Sequence, residues 1–260
     1  MIFFGICLVL TLVVASTGKV NMGIYNPYSL PPIRPHYRGI LKKHFTFYNQ
    51  LPAKSKKLFE KRVQYFIHLK KFIARGRGVD YVTEEMKVLV AASAVQITFG
   101  LPKVFLKNFH SILIFGDTYY SKISHNYHKG EVNPRRGLIV LSWKYFVDGY
   151  LDKSDGINLG LHEMAHALHI ENGIWNGEWG FLHRPALRKW EKIAKTEMEK
   201  AKTGESILRA YAGTNSYEFF ACAVEVFFEK PFELKGYSLE MYDLLSGILN
   251  QNPIELAKAT

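Results

Sequence analysis

The 260-residue sequence predicts an α+β domain, mostly helical with one small sheet, behind an apolar N-terminal segment. Three observations carry that expectation. Helix-period apolar stripes recur on both sides of the middle of the chain, two short β-branched runs lie between them, and the first residues are almost wholly apolar. With 48% apolar and 22% charged residues, the chain has the profile of an ordinary globular protein and the length for one sizeable domain.

Ile2 to Ala15 is apolar and is broken by Ser16, Thr17, Gly18 and Lys19. That length suits a secretory signal core and is short for a full span. The first charged side chains are Lys19, Arg34 and Arg38, an asymmetry that favours a single-pass anchor with the body of the protein on the cytoplasmic side. A cleaved signal is the close alternative. Residues 1–18 are thus expected to attach the protein to a membrane. Residues 19–40, with Pro27, Pro31, Pro32 and Pro35, are expected to be an extended connector, leaving residues 41–260 as the domain.

Lys57 to Ala74 reads as a helix, its stripe built by Phe59, Val63, Phe66, Ile67 and Leu69, with Lys61, Arg62, Lys70 and Lys71 on the remaining face. Thr83 can cap a second helix, which carries Glu84 and Glu85 in its first turn and is apolar from Met86 to Ile97. Ser111 to Phe115 and Gly137 to Leu141 predict strands, and Tyr119 to Val132 a further strand or long hairpin. Four helices follow, from about Gly156 (capped by Asp155) to Glu171, from Pro185 to Lys202, from Ser216 to Glu229 and from Leu239 to Asn250. Asn172-Gly173, Pro231 and Pro253 supply stops.

The formal net charge of +11 is concentrated locally. Between Arg34 and Arg77 stand thirteen basic residues and one acid, Glu60. Such a face suits an anionic membrane surface or an acidic protein partner. Nucleic acid is the weakest of the three, because no zinc-finger, RRM-type or helix-turn-helix signature accompanies the charge. The two cysteines, Cys7 and Cys222, are too few for a disulfide framework or a thiolate metal site.

The chemistry sits in the helix that begins near Gly156, at His162-Glu163-Met164-Ala165-His166. Two histidines four residues apart project from one helix face, about 40° apart around the axis and about 6 Å along it, so both can reach a single zinc ion. Glu163 stands beside the first ligand, where it can act as general base toward a water activated there. A third ligand is required. His169 is too far along the axis, about 10 Å from His162, to converge with the other two. A carboxylate from a later helix fits better. Glu218, in the first turn of a helix capped by Asn215 or Ser216, is the leading candidate, with Glu225 and Glu229 as alternatives. Glu225 also suits a hydrogen bond to the far side of a ligand histidine.

These motifs, together with Glu218-Phe219-Phe220-Ala221 and Glu225-Val226-Phe227-Phe228, resemble the MtfA family of zinc peptidases, whose catalytic domain is similar to that of anthrax lethal factor. The resemblance extends from about Leu41 to Pro253. It implies a zincin-like fold, a peptide or protein substrate, one zinc ion held by His162, His166 and Glu218, and Glu163 as the base. It also implies that Tyr211 stabilises the oxyanion. Sites of this kind lay the peptide along an edge strand, here expected in Tyr119 to Leu141, with Gly130 to Asn133 as the rim and His125 or His128 near the cleft. A regulatory module that binds a protein partner, with weak or incidental peptidase activity, is the competing function. The choice between amino- and endopeptidase stays open.

Overall fold

A computed structural model describes residues 32–101, 103–121, 125–152, 155–178 and 180–258. The apolar segment 1–18 and most of the expected connector lie outside them. The described chain runs α1 (Pro35–His44), α2 (Thr46–Gln50), α3 (Ala53–Leu69), β1 (Lys71–Arg75), α4 (Glu84–Thr98) and β2 (Ser111–Phe115). There follow β3 (Tyr119–Ser121), β4 (Asn126–His128), β5 (Gly130–Asn133), β6 (Leu138–Ser142), α5 (Trp143–Leu151), α6 (Leu159–Asn172) and α7 (Arg184–Thr203). A 3-10 turn (Ala210–Gly213) then leads to α8 (Ser216–Glu229), α9 (Pro231–Tyr237), α10 (Leu239–Leu249) and α11 (Pro253–Lys258). The architecture is the expected α+β one, mostly helical with a small mixed sheet.

That sheet has the order β1-β2-β6-β5. The first three strands are parallel, with Lys71 opposite Ser111 and Ser111 opposite Leu138, and β5 closes the edge antiparallel to β6. β3 and β4 form a separate antiparallel pair. Helix α4 is apolar on nearly every side and is buried, as such a helix must be. Thr83 caps it by accepting from Met86 N at 3.1 Å. Helix α6 packs on α4, α5 and α8 and against β5 and β6, which sets the histidine motif beside the sheet edge. Gly160 makes that approach possible: a Cβ there would lie 2.7 Å from the Phe146 ring and 2.9 Å from Ser93 Oγ.

Several expectations require correction. Residues 35–40, assigned to the connector, are helical, because Pro35 starts α1 at a position where its missing N–H costs nothing. The helix expected over Lys57–Ala74 runs instead over Ala53–Leu69, and Lys71–Arg75 is strand β1. Phe72 and Ile73 fit either period, and the ladder to β2 decides between them. Arg62 and Lys70, expected on a solvated basic face, are buried. The Arg62 guanidinium donates to the carbonyls of Thr98 and Phe99 at 2.8 and 2.9 Å and so satisfies the end of α4. Helices α5, α9 and α11 had no clear sequence signal, and Pro231 both stops α8 and opens α9. No helix among the described residues is long and apolar enough to cross a membrane.

Candidate active site

Two caps orient the site. Asn158, rather than the expected Asp155, caps α6: its Oδ1 accepts from Leu161 N at 3.0 Å, and the helix starts at Leu159 instead of Gly156. Asp155 only turns the preceding loop, accepting from Ile157 N. At α8, Asn215 Oδ1 accepts from Tyr217 N and Glu218 N at 2.9 and 3.0 Å, which holds Glu218 in the first turn.

With α6 packed on α8, three candidate ligand atoms converge. His162 Nε2 and His166 Nε2 are 3.1 Å apart, and Glu218 Oε2 lies 3.0 Å from the first and 3.2 Å from the second. Tetrahedral bonds of about 2.0 Å give edges of about 3.3 Å, so this triangle has the size that one small cation needs. The donor chemistry agrees. Glu225 Oε1 lies 2.7 Å from His162 Nδ1, and a carboxylate can only accept, so Nδ1 carries the proton and Nε2 presents its lone pair to the triangle. Burial works to raise the Glu218 pKa, but His162 and His166 hold it well below the usual carboxylate range. For His162, burial lowers the pKa while Cys222, Glu218 and Glu225 together raise it well above the ordinary value. Both directions express the same demand for positive charge between the imidazoles and the carboxylate.

Behind His162 stands a support that was only partly legible in the sequence. Glu225 is fully buried, accepts from Asn158 N at 2.6 Å, and accepts from the two terminal nitrogens of the Arg209 guanidinium, Nη2 and Nη1, at 2.8 and 3.0 Å. Asn158 and Arg209 were both missed. The Asn158 signal was there, a cap residue three before Leu161, but Asp155 competed for it. Arg209 carries no motif, and only the fold brings it to Glu225. His162, Cys222 and Glu225 also have ligand atoms within 4.8 Å of one another. Arg209 already neutralises that carboxylate, which disfavours a second cation there.

Glu163 is buried, and burial pushes its carboxyl up to about 6 against the pull of His162 and His166. Its Oε2 has no hydrogen-bond partner. Edge strand β5 crosses directly over it. A Cβ on Gly130 would fall 2.3 Å from Glu163 Oε1 and 2.6 Å from Cδ, so only glycine admits the carboxyl at this point. The cleft in front, about 500 Å³, is bounded by Gly130, His128, Tyr145, His162, Glu163 and Tyr211 among others. Tyr211 lies on the 3-10 turn with its ring centroid 6.1 Å from that of His162, and burial followed by Glu218 raises its pKa to about 12.

The remaining candidates separate clearly. His128 lines the cleft, whereas His125 is exposed and does not. His169 packs on Tyr217 and Phe220 at centroid distances of 4.9 and 5.3 Å, apart from the triangle. Glu229 is not brought to the histidines; its Oε1 accepts from Asn158 Nδ2 at 2.9 Å. Among the described residues, the chemistry-bearing groups that meet at one point are therefore His162, His166 and Glu218, with Glu163 and Tyr211 beside them.

Several known proteins are similar to this chain. An uncharacterized protein of Synechocystis sp. is 28% identical over 230 residues, covering 82% of this chain and 83% of the relative. Proteins called Mlc titration factor A are similar too. That of Escherichia fergusonii is 26% identical over 206 residues (71% of this chain, 77% of the relative), and that of Salmonella agona 27% over 183 residues (62% and 68%). The pattern of the family described as glucose-regulated metallo-peptidase M90 matches residues 27–249, the whole of the site included. A match of that extent leaves one assignment: the chain belongs to the glucose-regulated metallo-peptidase M90 family.

Proposed function

We propose that this protein hydrolyses peptide bonds with one zinc ion held by His162, His166 and Glu218, and with Glu163 as general base. The observation that carries the reading is the triangle of His162 Nε2, His166 Nε2 and Glu218 Oε2, with sides of 3.0 to 3.2 Å, next to a buried carboxyl whose Oε2 is unpartnered. Two imidazoles and one carboxylate are a donor set that zinc accepts, and zinc there supplies Lewis acidity toward water and the scissile carbonyl. Glu163 takes the proton of the attacking water on its free oxygen and delivers it to the leaving amine. The raised carboxyl pKa suits both halves of that transfer, since a group near neutrality can accept and release a proton at comparable cost. The Tyr211 hydroxyl donates to the oxygen on which negative charge develops. β5, an edge strand bordering the cleft, offers its free backbone groups to an extended peptide.

Glu163→Gln tests the reading. The variant should bind zinc with unchanged stoichiometry and lose turnover of a peptide substrate by about 10²- to 10⁴-fold. Undiminished turnover sinks the mechanism. A second reading, a module that binds a regulatory protein, draws support from relatives whose name records titration of Mlc. A partner-binding phenotype that survives Glu163→Gln, with no peptidase activity in the parent chain, favours it.

The apolar run Ile2 to Ala15, followed by the basic stretch from Arg34 to Arg77, supports a membrane attachment through residues 1–18. The basic stretch would then rest on anionic lipid.

A further inference from the structure

A second cavity, of about 260 Å³, reaches Asn158 and Leu161 at the start of α6, and no residue of the proposed zinc triangle lines it. Its walls are aromatic: Phe45, Phe47, Tyr150, Phe228 and the half-exposed Phe232. Phe45 and Tyr150 lie 5.3 Å apart between centroids, and Phe47 meets Phe228 edge to face at 6.1 Å. One carboxyl, Glu229, completes the lining. Asn158 Nδ2 donates to its Oε1, while Oε2 is shielded from solvent and has no partner. Neither does a cation balance it, for no Lys, Arg or His among the described residues forms an ion pair with Glu229. Burial, then Glu225, Asp155 and Asp152, push the Glu229 carboxyl up to about 8 against the Asn158 hydrogen bond, so its neutral form prevails near pH 7 and a cation placed beside it would draw it into the carboxylate form.

Aromatic rings around one carboxyl without a cationic partner are the chemistry that recognises an organic ammonium ion: the rings attract the cation through their quadrupoles and the carboxyl, once deprotonated, supplies the counter-charge. We propose that this cavity binds an organic ammonium, an amine on a small apolar body, with Glu229 as its counter-ion. The site stands independently of peptidase turnover. It also adjoins the metal centre through one residue, since Asn158 donates from Nδ2 to Glu229 and from its backbone N to Glu225, which in turn contacts His162. Ligand at Glu229 and zinc at His162 are therefore expected to alter each other's affinity reciprocally.

The test compares choline with its neutral carbon isostere, 3,3-dimethyl-1-butanol, by calorimetric titration of the full chain. Choline should bind about 10-fold or more tightly than the isostere. Glu229→Gln should remove that preference, and Phe232→Leu, a change at an exposed ring, should weaken choline binding without unfolding the protein. Equal affinity for both probes, or binding of neither to the parent chain, overturns the proposal without reference to any variant. Zinc affinity measured by chelator competition with and without saturating choline reads the coupling, and an unchanged value severs the link through Asn158.

Discussion

Gly130 shows how a residue without a side chain can set the position of the proposed base, Glu163. The atoms that a Cβ at this position would strike belong to the end of the Glu163 side chain, not to backbone, so the fold can yield where the chemistry cannot. Gly130→Ala is therefore expected to keep unfolding free energy within about 1 kcal/mol of the parent. Zinc content should also be unchanged, while kcat falls by about 100-fold or more as the carboxyl is pushed out of register. Retained kcat would show that the Glu163 carboxyl has room to work elsewhere. The same scale explains why Glu225 stands behind the triangle of His162, His166 and Glu218 and not in it. It faces Nδ1 of His162, the nitrogen opposite the triangle, and is held there by Arg209 and by Asn158 N.

At the scale of elements, two buried cations fix the frame on which α6 rests. Arg62, projecting from α3, binds the terminal carbonyls of α4. Arg62→Met should destabilise the protein by about 2–4 kcal/mol in urea unfolding, because several buried acceptors lose their donor, and Arg62→Lys should restore only part. Lys70, between α3 and β1, donates to Leu106 O, and burial pushes its pKa down to about 8, partly offset by Glu178 and Glu171. The unfolded chain binds this proton up to about pH 10.4. Between those values the unfolded state holds more protons, so stability from this group rises with pH and is lost as pH falls toward 8. The unfolding free energy of the parent relative to Lys70→Met should thus increase by about 3 kcal/mol from pH 7.5 to pH 11. A pH-independent difference would mean that Lys70 keeps its unfolded-state pKa in the native protein. Neither cation was legible as buried. Both fall in a run of thirteen basic residues that reads as a solvated face, and only the helix end and loop carbonyls packed above them reveal their use.

At the scale of the whole molecule, charge and the proposed anchor act together. Of the basic residues between Arg34 and Arg77, Arg34 and Arg38 pair with Glu84 and Glu60, and Arg62 and Lys70 turn inward. Lys42, Lys43, Lys54 and Lys57 remain exposed and are free to meet anionic lipid. If residues 1–18 anchor the chain, the full-length protein should sediment with membranes and resist 1 M salt, which screens charge to about 3 Å. Release by salt would leave electrostatic attachment alone, and recovery in the soluble fraction without salt would remove the membrane from the account.

Local chemistry was enough to read the helix that carries His162 and His166, a cap at Asn215 or Ser216 with Glu218 in the first turn behind it, and the α+β class. A helix period, a cap and an i, i+4 histidine pair are short-range facts, set by bonds within a few residues. The resemblance added Tyr211 as a proposed oxyanion donor. Distance along the chain hid the rest. Gly130 meets Glu163 across 33 positions, Arg209 meets Glu225 from a separate turn, and β1 becomes a strand only because β2 is there to pair with it. Such contacts depend on how elements pack, and a backbone group, a glycine or a buried cation announces its partner only once the sheet edge and the helix ends have been brought together.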